Sequence, residues 1–126
     1  MKYAESKDMV LVMTPFWLGD NGGKFGGTLP SDAEMQSYAA FLGNRYKNSG
    51  NIIWFVGGDD AADSNEAAIK LLGSALKAAD PNHLITAHND AKTFQYKNES
   101  WYSLYAFQWN ANSPPYSYKD CLLYTS

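Results

Sequence analysis

The chain has 126 residues, 45% hydrophobic, 15% aromatic and 18% charged, and 10 basic against 13 acidic residues leave a net charge of −3. A chain this apolar can bury a core, unlike the polar, highly charged mixtures that stay disordered, and its length fits one domain or less. It has no basic stripe to draw nucleic acid or an anionic membrane, no apolar run near the roughly 18 residues of a membrane helix, and a single cysteine, Cys121, too few for a disulfide framework or a multi-cysteine metal site.

The opening MKYAESKDMV lacks the apolar stretch of a signal peptide. That favours the cytoplasm only if Met1 is a genuine start rather than an internal methionine. Residues 9–13 (MVLVM) form a continuous apolar run that predicts a strand, followed by Thr14-Pro15-Phe16-Trp17 and the glycine-rich surface stretch Gly19 to Gly27. Ser31-Asp32-Ala33-Glu34 reads as a capping box. Met35, Tyr38, Phe41, Leu42 and Tyr46 then recur at three- and four-residue steps as the apolar stripe of a helix.

A second strand is predicted at residues 52–56 (IIWFV), ended by Gly57-Gly58. Ser64 or Asn65 can cap the next helix, whose apolar side holds Ala68, Ile69, Leu72, Ala75, Leu76 and Ala79. Asp80-Pro81 stops it, because the residue before a proline is pushed out of the helical region. Residues 83–87 (HLITA) predict a third strand and residues 102–107 (YSLYAF) a fourth, with loop rather than helix between Asn89 and Trp101. These runs are short, branched or aromatic, and mostly do not alternate, the habit of strands covered on both faces in a parallel α/β sheet. A doubly wound open sheet and part of a larger barrel both satisfy this order.

Parallel strands bring their C-terminal ends to one rim, where such folds build their sites. Trp17 and Asp20 follow the first strand, Asp59 and Asp60 the second, His88 and Asn89 the third, and Gln108, Trp109 and Asn110 the fourth. Carboxylates and amides pair with hydroxyls and indoles cover sugar rings, so this rim suits a carbohydrate. Gly57-Gly58-Asp59 is the sharpest feature. Two glycines allow a tight turn with room for a ligand, and an aspartate flanked by Trp54 and Phe55 can be desolvated into a general acid. The alternative is an Asp59 or Asp60 that only caps a turn. His88 can bond a substrate or a carboxylate, or simply satisfy neighbouring backbone, whereas His83 falls at the opposite rim. Trp17 and Trp109 are candidate sugar platforms; for Trp101 core packing is the default, and Glu99 is expected to face solvent. No dinucleotide fingerprint, phosphate loop or nucleophile elbow is present. A metal site would need His88 with two carboxylates, which no ligand spacing supports, so no cofactor is expected.

The segment YAAFLGNRYKNSGNIIWFVGGD, Tyr38 to Asp59, resembles the apiosidase-like family (glycoside hydrolase family 140, domain of unknown function 4038), whose pattern is Y-x-x-x-L-G-x-R-Y-K-…-N-I-I-W-…-G-G-D/E. Asp80 to His88 continues it, like D-P-x-H-L-I-T-x-H-P, and Val10 to Trp17 looks like the strand ending in P-x-W-G. Trp101 to Gln108 matches W-L-D-F-N-x-x-Q-S-G-H more weakly. Asn89 stands where the family has proline, and Trp109-Asn110-Ala111 replaces Ser-Gly-His; these departures bear on substrate identity more than on fold.

The resemblance implies a partial (β/α)8 barrel, with these strands about the third to sixth of eight. It also implies a bacterial glycosidase of plant cell-wall or pectic side chains, exported to the periplasm or outside. Asp59 would be the catalytic acid/base; Trp17, Asp60, His88, Gln108 and Trp109 are expected to bind substrate from their places on the shared rim. The nucleophilic glutamate would come from a strand beyond residue 120. Residues 1–120 are then expected to be an internal fragment, incomplete without the rest of its barrel and inactive alone. The last six residues, Cys121 to Ser126, read CLLYTS, the translation of TGT CTC TTA TAC ACA TCT, a transposase adapter end; they are expected not to be natural sequence. Two other classes stay open: a noncatalytic carbohydrate-binding module and a small flavodoxin-like domain.

Overall fold

The structure is a computed structural model that describes residues 1–17, 29–58, 65–90 and 95–108, with side chains at all of these except residues 89, 90, 107 and 108. The elements, in order, are α1 (Lys2–Glu5), β1 (Leu11–Met13), α2 (Asp32–Tyr46), β2 (Ile52–Val56), α3 (Glu66–Ala79), β3 (Leu84–Asp90) and β4 (Ala106–Gln108). The strands form a four-stranded sheet in the order β1-β2-β3-β4, and every neighbouring pair is parallel. Doubly wound sheets place the first strand beside the third or fourth at a switch point. Here each strand pairs with its successor, so the described strands depart from the flavodoxin-like order.

The predicted capping box is present in both directions: the Glu34 amide donates to Ser31 Oγ and the Ser31 amide to the Glu34 carboxylate. The buried stripe of α2 differs from the predicted one. Met35, Ala39, Leu42 and Gly43 face inward, while Tyr38 is 44% and Phe41 57% exposed. The cause is close helix packing, since a Cβ on Gly43 would stand 2.6 Å from the Cβ of Ala79 on α3. Small residues, not aromatic ones, fit that contact. Helix α3 follows its predicted stripe, with Ala68, Ile69, Leu72, Gly73 and Leu76 buried, although Asn65 caps it without a side-chain hydrogen bond.

Side chains alternate along β2. Ile52, Trp54 and Val56 join Ile69, Leu72 and Leu76 of α3 in the core, and Ile53 and Phe55 occupy the other face. The register aligns Val12, Ile53 and Leu84 in one row of that face, where Val12 is 61% and Leu84 47% exposed. The sheet is thus covered by helices on one side, and its other side carries an apolar row open at both edges among the described residues.

Three strand boundaries shift from expectation. β1 begins two residues later than the apolar run, after an unanticipated helical turn, α1. β3 extends to Asp90, so His88 and Asn89 lie within it, and His88 pairs with Ala106. β4 starts at Ala106, but its approach already runs beside β3: the Ser103 amide donates to the Ile85 carbonyl at 2.8 Å and Thr86 Oγ1 to the Leu104 carbonyl at 2.6 Å. No helix occurs between β3 and β4 among the described residues. Tyr96 and Trp101, both fully buried, pack there with ring centroids 5.5 Å apart. Trp101 lies so close to α3 that a Cβ on Gly73 would approach its indole to 2.5 Å.

At the N-terminal end of β3, Asp80 is a hub as well as a helix stop. Its carboxylate accepts from Trp54 Nε1 at 2.8 Å and from the Asn82 and His83 amides, and lies 2.6 Å from His83 Nδ1. His83 Nε2 in turn donates to the Ser49 carbonyl. This buried group joins β2, α3, β3 and the turn after α2.

Candidate active site

All four strands point the same way, so the exits of β1, β2, β3 and β4 share one rim. Trp17 follows β1 and is 51% exposed. β2 ends in a turn that requires glycine: Gly57 has φ +98°, a left-handed conformation that strains residues with a side chain, and a Cβ there would meet Ile69 Cδ1 at 3.2 Å. Gly58 has no such φ. Asp59 and Asp60 lie outside the described residues, as do Asp20, Trp109 and Asn110. Gln108 closes β4 opposite Asp90 through its backbone, and its side chain is outside the described set.

Of the expected site residues, His88 is held by its neighbours on β2 and the turn after it. It is half-buried on β3, and its Nδ1 lies 3.0 Å from the Gly58 carbonyl. Its ring also meets Phe55 of β2, with centroids 5.8 Å apart at 47°. The residue before Asp59 and the imidazole of His88 are therefore brought together across two neighbouring strands. Trp54 does not join them. It was expected to help desolvate Asp59, but strand alternation turns it to the helix side, where its indole serves Asp80. Phe55 is the β2 aromatic on the His88 face.

At the helix N-terminal ends, hydrogen bonds and ion pairs engage the charged side chains. The Ser31 hydroxyl and then the Ser31 amide hold the Glu34 carboxyl below its ordinary range. Lys70 lowers Glu66 in the same way, and Glu66 and Glu99 raise Lys70. Lys70 Nζ lies 2.6 Å from Glu66 and 3.2 Å from Glu99, so Glu99 is an ion-pair partner rather than a simple solvent-facing residue. A cleft of about 450 Å³ lined by Phe16, Pro30, Met35, Tyr38 and Leu72 opens on the helix side, away from the His88 face. Among the described residues no group of three or more His, Cys, Asp and Glu could hold a metal ion, and no helix is long and apolar enough to cross a membrane.

The family described as "Apiosidase-like, catalytic domain" matches residues 1–120. The chain belongs to the apiosidase-like catalytic domain family. Among solved structures, this apiosidase-like chain is similar to a glycoside hydrolase family 5 protein from Bacteroides vulgatus, with a TM-score of 0.72 and 29% identity over 85% of this chain and 23% of that one. It is also similar to a structure named "Glycoside hydrolase", with a TM-score of 0.70 and 31% identity over 85% of this chain and 24% of the other. The chain thus spans about a quarter of the length of these solved structures. No curated protein matches it. Its mixed α/β fold with a parallel sheet is similar to the matched part of these two structures.

The Asp80–His83–Trp54 group is what sequence reasoning missed. Its signal was the D-P-x-H spacing, which places a short carboxylate three residues before a histidine at a helix end. It lies at the rim opposite the strand exits and serves the fold.

Proposed function

We propose that the chain is a segment of a glycoside hydrolase barrel, its four strands the third to sixth of eight, acting on plant cell-wall or pectic side chains that carry apiose. Asp59 is the proton donor at the exit of β2. Trp17, Asp60, His88, Gln108 and Trp109 contact the sugar, and a glutamate from another strand is the nucleophile. The observation that carries this reading is the β2 exit, where Gly57 turns at φ +98° and Gly58 meets His88, immediately ahead of Asp59.

Retaining hydrolysis needs two carboxyls roughly 5–5.5 Å apart, one to protonate the leaving oxygen and one to attack the anomeric carbon. Asp59 fills the first role only. This chain alone is accordingly expected to show little turnover, and the missing barrel strands are its partners. The parent is read as an exported bacterial enzyme working without a metal or organic cofactor.

The test is to extend the reading frame in the source DNA and assay the longer protein on apiose-containing pectic side chains. Asp59→Asn should lower kcat by about 10²–10⁴-fold while calorimetric sugar binding persists. Undiminished turnover in that variant overturns the reading, as does a stop codon directly after Asp120. The half-exposed Trp17 also favours a second reading, noncatalytic glycan binding; it predicts glycan affinity for the 126-residue chain itself and no hydrolysis by the longer one.

A further inference from the structure

We infer that His88 is a positioning residue, which sets the path of the chain out of β2 by holding the Gly58 carbonyl with its Nδ1–H. The inference rests on the hydrolase reading above, in which the residue after Gly58 donates the proton. The Cα register of β2 on β3 ends at Val56 and Ala87, and the His88 contact carries the connection two residues further, to Gly58. Gly58 is buried, where a carbonyl requires a donor. Gly57 has the conformational freedom that this exit needs, at φ +98°, so something else must fix its direction.

The imidazole is suited to that task. A carbonyl oxygen only accepts, so the 3.0 Å contact places the ring proton on Nδ1. In the neutral ring Nε2 is then an acceptor. The Phe55 ring, 5.8 Å away, comes from the same strand whose exit is held. One contact with β2 and one with the turn that follows it thus orient one side chain of β3. A histidine that only bound sugar would not need the Gly58 contact.

The tautomer is directly measurable. Long-range ¹H–¹⁵N correlation on the 126-residue chain should show a proton on His88 Nδ1; a proton on Nε2 with Nδ1 unprotonated overturns the proposal. The second measurement uses two amide substitutions. The side-chain nitrogen of asparagine takes the place of Nδ1 and that of glutamine the place of Nε2. His88→Asn should therefore keep the Gly58 carbonyl ¹³C shift near its wild-type value, whereas His88→Gln should move it.

In the longer hydrolase, His88→Gln should lower kcat about tenfold, the equivalent of one hydrogen bond to the backbone, over and above any rise in KM from a lost sugar contact, with kcat recovered in His88→Asn. A rise in KM with kcat unchanged in both variants leaves His88 a sugar contact alone and overturns the positioning role. Full turnover by Asp59→Asn would instead sink the hydrolase assignment, leaving the tautomer result standing on its own.

Discussion

The indole N–H of Trp54 donates to the Asp80 carboxylate across 2.8 Å, tying the middle of β2 to the turn that ends α3. Asp80 is fully buried, and its two oxygens also receive the Asn82 and His83 amides and face the His83 ring. Removing the carboxylate strands several buried donors at once. Asp80→Ala should cost about 3–5 kcal/mol, because several buried donors lose their acceptor at about 1–3 kcal/mol each, and Trp54→Phe about 1–3 kcal/mol, that of one unsatisfied group. Urea unfolding midpoints check both. A loss below 1 kcal/mol for Asp80→Ala would show that water replaces the lost contacts.

The second prediction concerns Gly73 and Trp101. An added Cβ at Gly73 falls 2.5 Å from the indole, which is itself fully buried and cannot step aside cheaply. Gly73→Ala is expected to destabilise by about 1–3 kcal/mol, as overpacking does, despite alanine's better helix propensity. Combining it with Trp101→Phe should recover part of that loss. A double-mutant cycle measures the coupling, expected at about 0.5–3 kcal/mol for residues in contact.

Gly57→Ala tests the β2 exit. Its φ of +98° is unfavourable for alanine, and the new methyl meets Ile69 at 3.2 Å. A destabilisation of about 1–2 kcal/mol is expected from the left-handed backbone alone. In the longer hydrolase the same change should lower kcat, because the chain ahead of Asp59 is redirected. Thermal unfolding and the kcat measurement together separate these effects.

The pH prediction follows from the α2 cap. Ser31 holds the Glu34 carboxyl below its ordinary range in the folded chain, so the unfolded chain binds its proton first. The stabilisation is complete above the usual glutamate range and disappears as the pH falls through the lowered folded value. Ser31→Ala should cost about 1 kcal/mol near neutrality and less in acid, where the carboxylate half of the box is already lost. Unfolding free energies of the variant and wild type at neutral and acidic pH give the comparison; a pH-independent difference would remove Glu34 from the cap's energetics.

Local pattern carried much of this fold. The Ser31–Glu34 box, the α3 stripe from Ala68 to Leu76 and the apolar runs at Ile52–Val56 and Leu84–Ala87 depend on residues near one another in the chain, so their chemistry was legible in order. The α2 stripe was not. Whether Phe41 or Ala39 turns inward depends on how close α3 comes, and the Gly43–Ala79 contact decides it.

The same division runs through the site. Motif and spacing singled out the family and the glycine turn after β2, because the left-handed φ of Gly57 selects glycine. Only the tertiary structure decided the sequential strand order, the separation of Trp54 from Phe55 onto opposite faces, and the meeting of His88 with Gly58. Those outcomes depend on parallel strands joined by long crossovers, and the register between such strands is set by packing on the far side of each connection rather than by any residue within it.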